Sequence, residues 1–471
     1  MSSDDRSIVE YFGEQRGSHC GYCKTTHPNK ISHGMWAHRL TAIDYQQLIE
    51  RGWRRSGSYC YKPDVRHTCC PQYTIRMDAT QAVVTRSQKR VLTRFRQFIE
   101  NDARPTQKSS EPRQADAKFE KGALATKPPR QPQGTSALKS SASNADRTKD
   151  PTRKKRYQRK LRKAEKMRQK GLDPTEFLEK GSPPGPKSLE ERLAFGDSVS
   201  PPKHQFETRL VSVGGEEFKR TFAETHALYQ KYQGRVHGDA PSECDAQQFR
   251  RFLCVDPFYA RPLPEDGSAA RFRSDVLGEG GLRVGAYHVH YMLDGRLLAV
   301  GVLDVLASGL SSKYLFYDSD YDFLALGTYA ALREVALTRE IHRLTANFPF
   351  YYMGYYIHDC QKMRYKARFK PMSILCPEAY SWHPIERCLP LLDREKYCRF
   401  SDPDEVDDES ADVDVDEVAI LMLGRNEAVS LTFRTFQTLK PFDAGKRSEL
   451  RQYAQLVGRT LAKRIFVVKE Q

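Results

Sequence analysis

Two tight pairs of cysteines near the front of the chain carry the clearest chemistry: Cys20 and Cys23 in "HCGYC", then Cys69 and Cys70 in "TCCPQ". Cys20 and Cys23 are close enough to grip one ion. Cys69 and Cys70 supply two more thiolates if the backbone turns between them, and Pro71 helps to hold such a turn. Structural zinc usually shows a second CxxC or CxxH rather than adjacent cysteines. Four thiolates also suit an iron–sulfur cluster. A CxxC redox centre would sit in a thioredoxin-like βαβ setting, and the surrounding residues do not read as one. His19, His27, His33, His38 and His67 crowd the same zone, as substitute ligands or as packing and surface residues. A second stretch, "KMRYKARFK" (362–370), alternates Arg364, Lys366, Arg368 and Lys370 with Tyr365 and Phe369. Such a pattern suits phosphate contact with base or ribose stacking. It equally suits an amphipathic edge strand with a basic outer face.

Composition sets the frame around these residues. The 471-residue chain has room for two or three domains, and 24 Tyr and 23 Phe can build a core. No run of about 18 apolar residues exists, which excludes a transmembrane helix. The opening "MSSDDRSIVEYFG" lacks the basic and apolar regions of a signal peptide. The expected setting is therefore a reducing one, cytoplasmic and nuclear, where close cysteines bind metal more often than they form structural disulfides. A net charge of +16 favours an anionic partner, nucleic acid first. More than half of that excess lies in residues 150–170, where eleven Lys/Arg face two acids. The tract reads as a solvated basic helix or nuclear-import signal, or as an arm that adds nucleic-acid affinity by counterion release.

Three zones follow. Residues 1–100 form a small Cys-rich domain that closes on a basic helix, "QKRVLTRFRQFIEN". Residues 101–203 are rich in Ser, Pro and Lys, and are expected to be a largely disordered linker apart from the basic tract. Residues 204–471 are globular again, interrupted by an acidic insertion at 401–417 that reads as a solvated loop. Within this zone "AYHVHYML" and "RLLAVGVLDVL" flank Asp294-Gly295, a strong hairpin signal. "KYLFYDSDY" predicts a third strand. Ala325, Tyr329, Leu332 and Ala336 then recur at helical spacing, and "FPFYYMGYYIHD" predicts a buried strand. The result is an α+β (α/β) fold with a mixed sheet and one crossover.

This β-β-β-α-β order resembles the GCN5-related N-acetyltransferase fold, in which the strands beside the helix splay and the acyl carbonyl sits in the gap. The resemblance implies a Gly-rich turn before the helix to cradle the pyrophosphate of CoA. "YDFLALGTY" offers only Gly327, so no CoA is expected.

At higher resolution the chain closely resembles eukaryotic arginyl-tRNA–protein transferases. The matching stretches are "YFGE", "CGYCK", "GMWAH", "DYQQLIERGWRRSGSYCYKP" and "TCCPQYTIR" at the front. Further on they are "QFRRFLC", "LLAVGVLDVL", "YLFYDSDYDFLALGTYAALRE", "YYMGYYIHDCQKMRYKARFKP" and "LCPEAYSWHPIE". The resemblance implies transfer of arginine from Arg-tRNA to the N-terminal amine of proteins beginning with Asp, Glu or oxidised Cys, within the arginine branch of the N-degron pathway. It also implies an iron–sulfur cluster, [4Fe-4S] ahead of zinc, on Cys20, Cys23, Cys69 and Cys70, and leaves Cys60 outside the set.

The implied reaction is aminolysis of an ester, which needs a residue to hold the amine, take its proton and orient the ester. In an alternating strand Asp318 and Asp320 share one face, and Tyr317 and Tyr321 the other. These four are the candidate catalytic residues, with one carboxylate on the amine and one on the guanidinium of the arginine; capping of the next helix is the alternative. Arg333 and His358 are candidates for reading the acidic acceptor, and Arg364, Lys366, Arg368 and Lys370 for binding tRNA. A non-catalytic RNA-binding adaptor with a metal-bound front domain is the competing class, and an acetyl-CoA-dependent acetyltransferase the third.

Overall fold

The computed structural model describes residues 6–23, 29–104, 161–169, 171, 173, 187–195, 201–258, 282–345, 347–424, 427–439 and 444–470. The front of the chain runs β1 (Ile8–Ser18), β2 (Lys30–Arg39), α1 (Ala42–Ile49), β3 (Arg54–Ser56), β4 (Tyr59–Pro63), β5 (Tyr73–Asp78) and α2 (Arg86–Asn101). The middle runs β6 (Phe206–Ser212), α3 (Glu216–Tyr232), α4 (Ala246–Leu253), β7 (Gly285–Leu293), β8 (Arg296–Val305), β9 (Gly309–Tyr317), α5 (Leu326–Leu344) and β10 (Phe350–Tyr356). After these come α6 (Gln361–Arg364), β11 (Ser373–Leu375), β12 (Trp382–Pro384), α7 (Ile385–Leu392), β13 (Ala419–Leu423), β14 (Ala428–Thr432), α8 (Phe433–Leu439), α9 (Ala444–Val457) and β15 (Phe466–Glu470). No described helix is long and apolar enough to cross a membrane.

The predicted core is present. Asp294 and Gly295 both take positive φ, as a tight hairpin turn requires, and join β7 to β8. The order β7-β8-β9-α5-β10 follows, with β10 parallel to β9 across the α5 crossover. One face of the sheet buries Val300, Val302 and Phe316 against Phe218 and Tyr229 of α3 and Phe249 of α4. The other face receives α5, whose Tyr329 stacks on Phe95 of α2 at 3.7 Å. Helix α2 starts on a capping box, Thr85 with Gln88, and buries Leu92, Phe95, Phe98 and Ile99 on one stripe.

The expected front domain is not separate from the rest. One sheet has the order β14-β13-β15-β1-β2-β4-β3, so strands from both ends of the chain pair directly. The second has the order β12-β11-β5-β10-β9-β8-β7-β6, with β5 of the front zone inserted between β11 and β10. The physical reason is visible in β5 itself: Tyr73, Thr74, Ile75 and Met77 are all buried, which requires cover on both faces and neighbours on both edges. Residues 1–104 and 192–471 thus form one compact unit, and residues 105–191 another. Most of the linker expected at 101–203 lies outside the described residues; within it, residues 161–168 of the basic tract are helical.

The acidic insertion is also not a free loop. Asp407 pairs with Arg51 at 2.7 Å, Asp416 with Arg447 at 2.8 Å and Glu417 with Lys463 at 3.0 Å. Its charges answer the basic side chains of α1's C-terminal turn and of the chain's last helices.

Candidate active site and thiol centre

Strands β9 and β10 are parallel neighbours for only three residue pairs, ending at Tyr352 with Ser311. Beyond that point they part. Gly354 takes φ of +67°, and β10 slips register against β5 between Tyr352 and Tyr355. This bulge bends β10 away from its neighbour. The fork opens into a cavity of about 480 Å³, walled by Ser312, Tyr314 and Tyr317 of β9, Tyr351 and Met353 of β10, and the first turns of α5. A π-helical turn over Gln233–His237 ends α3 and contributes Val236 and His237 to the same wall. Such turns cost regular hydrogen bonding and recur at functional sites. Tyr314 Oη donates to Gln233 Oε1 at 2.8 Å and lies 3.4 Å from His237 Nε2.

Two buried charged groups stand in this wall: one, Glu334, is not among the residues singled out from the sequence, and the other, Lys366, is assigned there to tRNA binding. Glu334 of α5 is 3% exposed and accepts a hydrogen bond of 2.5 Å from the Tyr351 hydroxyl. Burial pushes its carboxyl up to about 7, against the opposing pull of hydrogen bonds from Tyr351 and Ser312. Gly301 of β8 makes room for it: a Cβ there would stand 3.1 Å from Glu334 Oε1. In "ALREVAL" this residue looks like a surface charge, yet Ala330, Glu334, Leu337 and Ile341 recur at i, i+4, i+7 and i+11. A carboxylate on an apolar stripe was the available signal.

Lys366 is the second. Its side chain is buried, and Nζ donates to the carbonyls of Met353 and Tyr355 at 2.7 Å each. Arg54 takes the carbonyl between them, donating to Gly354 O at 3.1 Å. Three successive carbonyls freed by the bulge are thus satisfied by two cations.

The other candidates distribute unevenly. Tyr317 lines the cavity, but β9 ends there, so the alternation expected through Tyr321 does not exist. Asp318 instead caps a 3-10 turn over Ser319–Leu324, accepting from the Asp320 amide at 3.1 Å. Lys231 lies 2.6 Å from Asp318 and 2.8 Å from Asp320, with Arg235 also on Asp320. Tyr321 packs edge-on against Phe98. None of these three lines the cavity. Arg333 donates to Thr208 Oγ1 at 2.9 Å on the far side of α5, facing a smaller cavity of about 100 Å³. His358 sits beside the thiols, 2.9 Å from both the Tyr356 hydroxyl and Asp393. Neither reaches the main cavity. "KMRYKARFK" is not a strand: α6 and a 3-10 turn over Tyr365–Arg368 occupy it. Arg364 and Arg368 are exposed, Lys370 pairs with Glu386 at 3.1 Å, and Lys366 points inward. The inward turn of Lys366 removes it from any phosphate-binding face.

The thiols of Cys20, Cys23, Cys69 and Cys70 all lie within 4.8 Å of one another. Cys20 and Cys70 are buried under Ile357, the residue after β10, and Cys69, Cys360 and Met363 pack around them. The Tyr22 amide donates to Cys20 Sγ at 3.5 Å. Burial pushes the Cys69 thiol up to about 11 and raises Cys70 as well. A cation would reverse that preference and hold the sulfurs as thiolates. Four converging sulfurs with an amide donor fit a metal ion or cluster. Among the front histidines, His33 faces Tyr11, His38 faces Glu10 and His67 faces Asp64, while His19 directly precedes Cys20 and His27 lies outside the described residues. Cys60 is buried in β4, with its thiol pushed up to about 12 by burial. Met363 packs against the cluster of Cys20, Cys70 and Ile357 and also lines the main cavity, so the two sites share a wall.

A family described as "Arginine-tRNA-protein transferase, N terminus" matches residues 18–90, and its counterpart, "Arginine-tRNA-protein transferase, C terminus", matches residues 224–376. Arginyl-tRNA–protein transferase 1 of Drosophila melanogaster is 33% identical over 514 residues, spanning 98% of this chain and 99% of its own. Arginyl-tRNA–protein transferase 2 of Arabidopsis thaliana is 30% identical, over 89% of this chain and 82% of its own. An aspartate/glutamate leucyltransferase of Polynucleobacter asymbioticus is 34% identical over 151 residues, 32% of this chain and 50% of its own. By the near full-length match to these enzymes, the chain belongs to the arginyl-tRNA–protein transferase family, transferases that move arginine onto proteins.

Proposed function

We propose that the chain transfers arginine from Arg-tRNA to the N-terminal α-amine of proteins beginning with Asp, Glu or oxidised Cys, marking them for ubiquitin-dependent degradation. The observation that carries this reading is the fork between β9 and β10, which opens a cavity of about 480 Å³ with the Glu334 carboxyl in its wall. An aminoacyl ester laid in the fork presents its carbonyl to an incoming amine. Glu334, poised near neutrality, ionises against the guanidinium of the transferred arginine and so selects it over neutral aminoacyl groups. The free α-amine has an ordinary pKa of about 7.7–8.0, so an appreciable fraction is already neutral at pH 7. His237, in the π-helical turn, takes the proton released as the amide forms. No covalent enzyme intermediate is required.

Cys20, Cys23, Cys69 and Cys70 would hold the [4Fe-4S] cluster or, as the second choice, zinc. When bound, that group would supply a cross-link between the segments 20–23 and 69–70, beside the end of β10. We place the protein in the cytoplasm and nucleus, with the basic tract at 150–170 as the import or tRNA-contact element.

The test is incubation with charged Arg-tRNA and peptides beginning with Asp or Ala. Arginine should appear on the Asp peptide and far more slowly on the Ala peptide. Binding of tRNA with no transfer to either would replace this reading with a non-catalytic RNA-binding adaptor.

A further inference from the structure

Lys366 is an expensive residue for its position. A lysine buried beside a fork costs desolvation, and satisfying two carbonyls does not by itself require a charge. Burial, with Arg54 adding to it, lowers its amino group to about 7. An ammonium has three donors. Two go to Met353 O and Tyr355 O at 2.7 Å each, and no described residue takes the third. The position of Nζ is set by the bulge: a Cβ built on Gly354 would lie 3.9 Å from Lys366 Nζ and 3.8 Å from Ser312 O. The amino group therefore stands where the two strands separate, and Lys366 forms part of the cavity wall.

Resting on the arginine-transfer reading, we propose that the Lys366 ammonium gives its third N–H to the carbonyl oxygen of the arginyl ester and stabilises the oxyanion of the tetrahedral intermediate. The acceptor amine forms the C–N bond while the carbonyl π pair moves onto oxygen. Collapse of the oxyanion breaks the ester C–O bond, and the ribose oxygen leaves with the proton that the amine has lost. Lys366 neither gives nor gains a proton overall. The two backbone carbonyls fix Nζ, so the donor needs no reorganisation when charge develops. Other charged or titratable groups facing Lys366 are Arg54 from β3, Cys360 ahead of α6, and Glu334, Lys313, Lys362 and His237 around the cavity.

The experiment measures kcat and KM for both substrates in the full-length wild type, Lys366→Met and Lys366→Arg, from pH 6 to 9. Lys366→Met should lose about 100- to 1,000-fold in kcat, the usual cost of one oxyanion donor. Its KM for Arg-tRNA and for peptide should stay within about threefold, and Lys366→Arg should recover part of the rate. Because the folded-state pKa is lowered, the wild type loses the charged form as pH rises. Its kcat should therefore fall on the alkaline side, and that limb should vanish in Lys366→Met. A loss confined to KM, or turnover within threefold of wild type, would overturn the role. The alkaline limb in wild type is the check that does not depend on the variant folding: its absence also overturns the role. A wild type that moves no arginine overturns the function itself; an active wild type with an unaffected variant overturns only Lys366.

Discussion

The thiol centre and the strand fork share Met363 and lie at the same end of β10, yet they are built on opposite principles. The thiol centre is a side-chain feature: four residues of one type whose sulfurs converge and could together hold a metal. The fork is a backbone feature: three residue pairs of parallel sheet, a bulge at Gly354, and two buried charges, Glu334 and Lys366, that answer the exposed polar groups. A ligand set fails all at once, because removing one donor opens the coordination shell. A fork fails by degrees, because its shape survives the loss of any one side chain. The cavity here thus comes from interrupting a sheet, and the candidate metal site from converging side chains.

That contrast can be broken or sharpened by mutation. The largest effect belongs to the thiols. Cys20→Ser or Cys70→Ser should leave less than about a tenth of the wild-type metal content in protein purified without oxygen, as metal analysis and absorption spectra would reveal. Retention of full metal in either variant would mean the four thiols are not the ligands. Stoichiometric zinc without iron would decide against the cluster.

Glu334→Gln should act on the fork more selectively. With the carboxylate gone, kcat/KM for arginyl transfer should drop about 100-fold, as expected when a buried ionic partner is lost. Stability should move the other way. A carboxyl whose folded-state pKa is raised is fully tolerated only below its unfolded value, and its cost grows as pH rises through the window from about 4.5 to about 7. Above that window the cost levels off at up to about 3 kcal/mol. The variant should accordingly melt higher than wild type at pH 8 and equally at pH 4.5. Equal melting at both would remove Glu334 from the buried charges.

The smallest effect is expected at Asp320. Its carboxylate is held at the surface by Lys231 and Arg235 and does not line the cavity. Asp320→Ala should change turnover by less than about threefold, in keeping with exposed ion pairs. A large loss with unchanged tRNA binding would move the chemistry back to the 3-10 turn and out of the fork.

How the residues could be read in advance follows the same division. Cysteine types and spacing are local, and the turn residues Asp294-Gly295 act through their own backbone angles, so both were legible. So were the hairpin, the α5 stripe and the β-β-β-α-β order, because a hydrophobic period is a property of one segment. The acids of "FYDSDY" were misplaced because the backbone turns straight after Tyr317: the Asp318 amide still reaches Leu298 O of β8, but the Asp318 side chain then caps a 3-10 turn that leaves the ladder. "KMRYKARFK" misled in a similar way. Its alternation mimics a strand, while the fold uses two short helical turns that send Lys366 inward and leave Arg364 outside.

The amino-acid sequence by itself determined the family, the four-thiol ligand set and the hairpin-strand-helix-strand core, since each depends on residue types at short separations. Only the tertiary structure decided that β5 joins the second sheet, that front and rear strands share the first, and that Glu334 and Lys366 face one cavity. Those outcomes rest on pairing between segments up to hundreds of residues apart. A charge is costly or useful according to what surrounds it, and for Glu334 and Lys366 the surroundings come from Tyr351, Met353 and Tyr355 of a different strand.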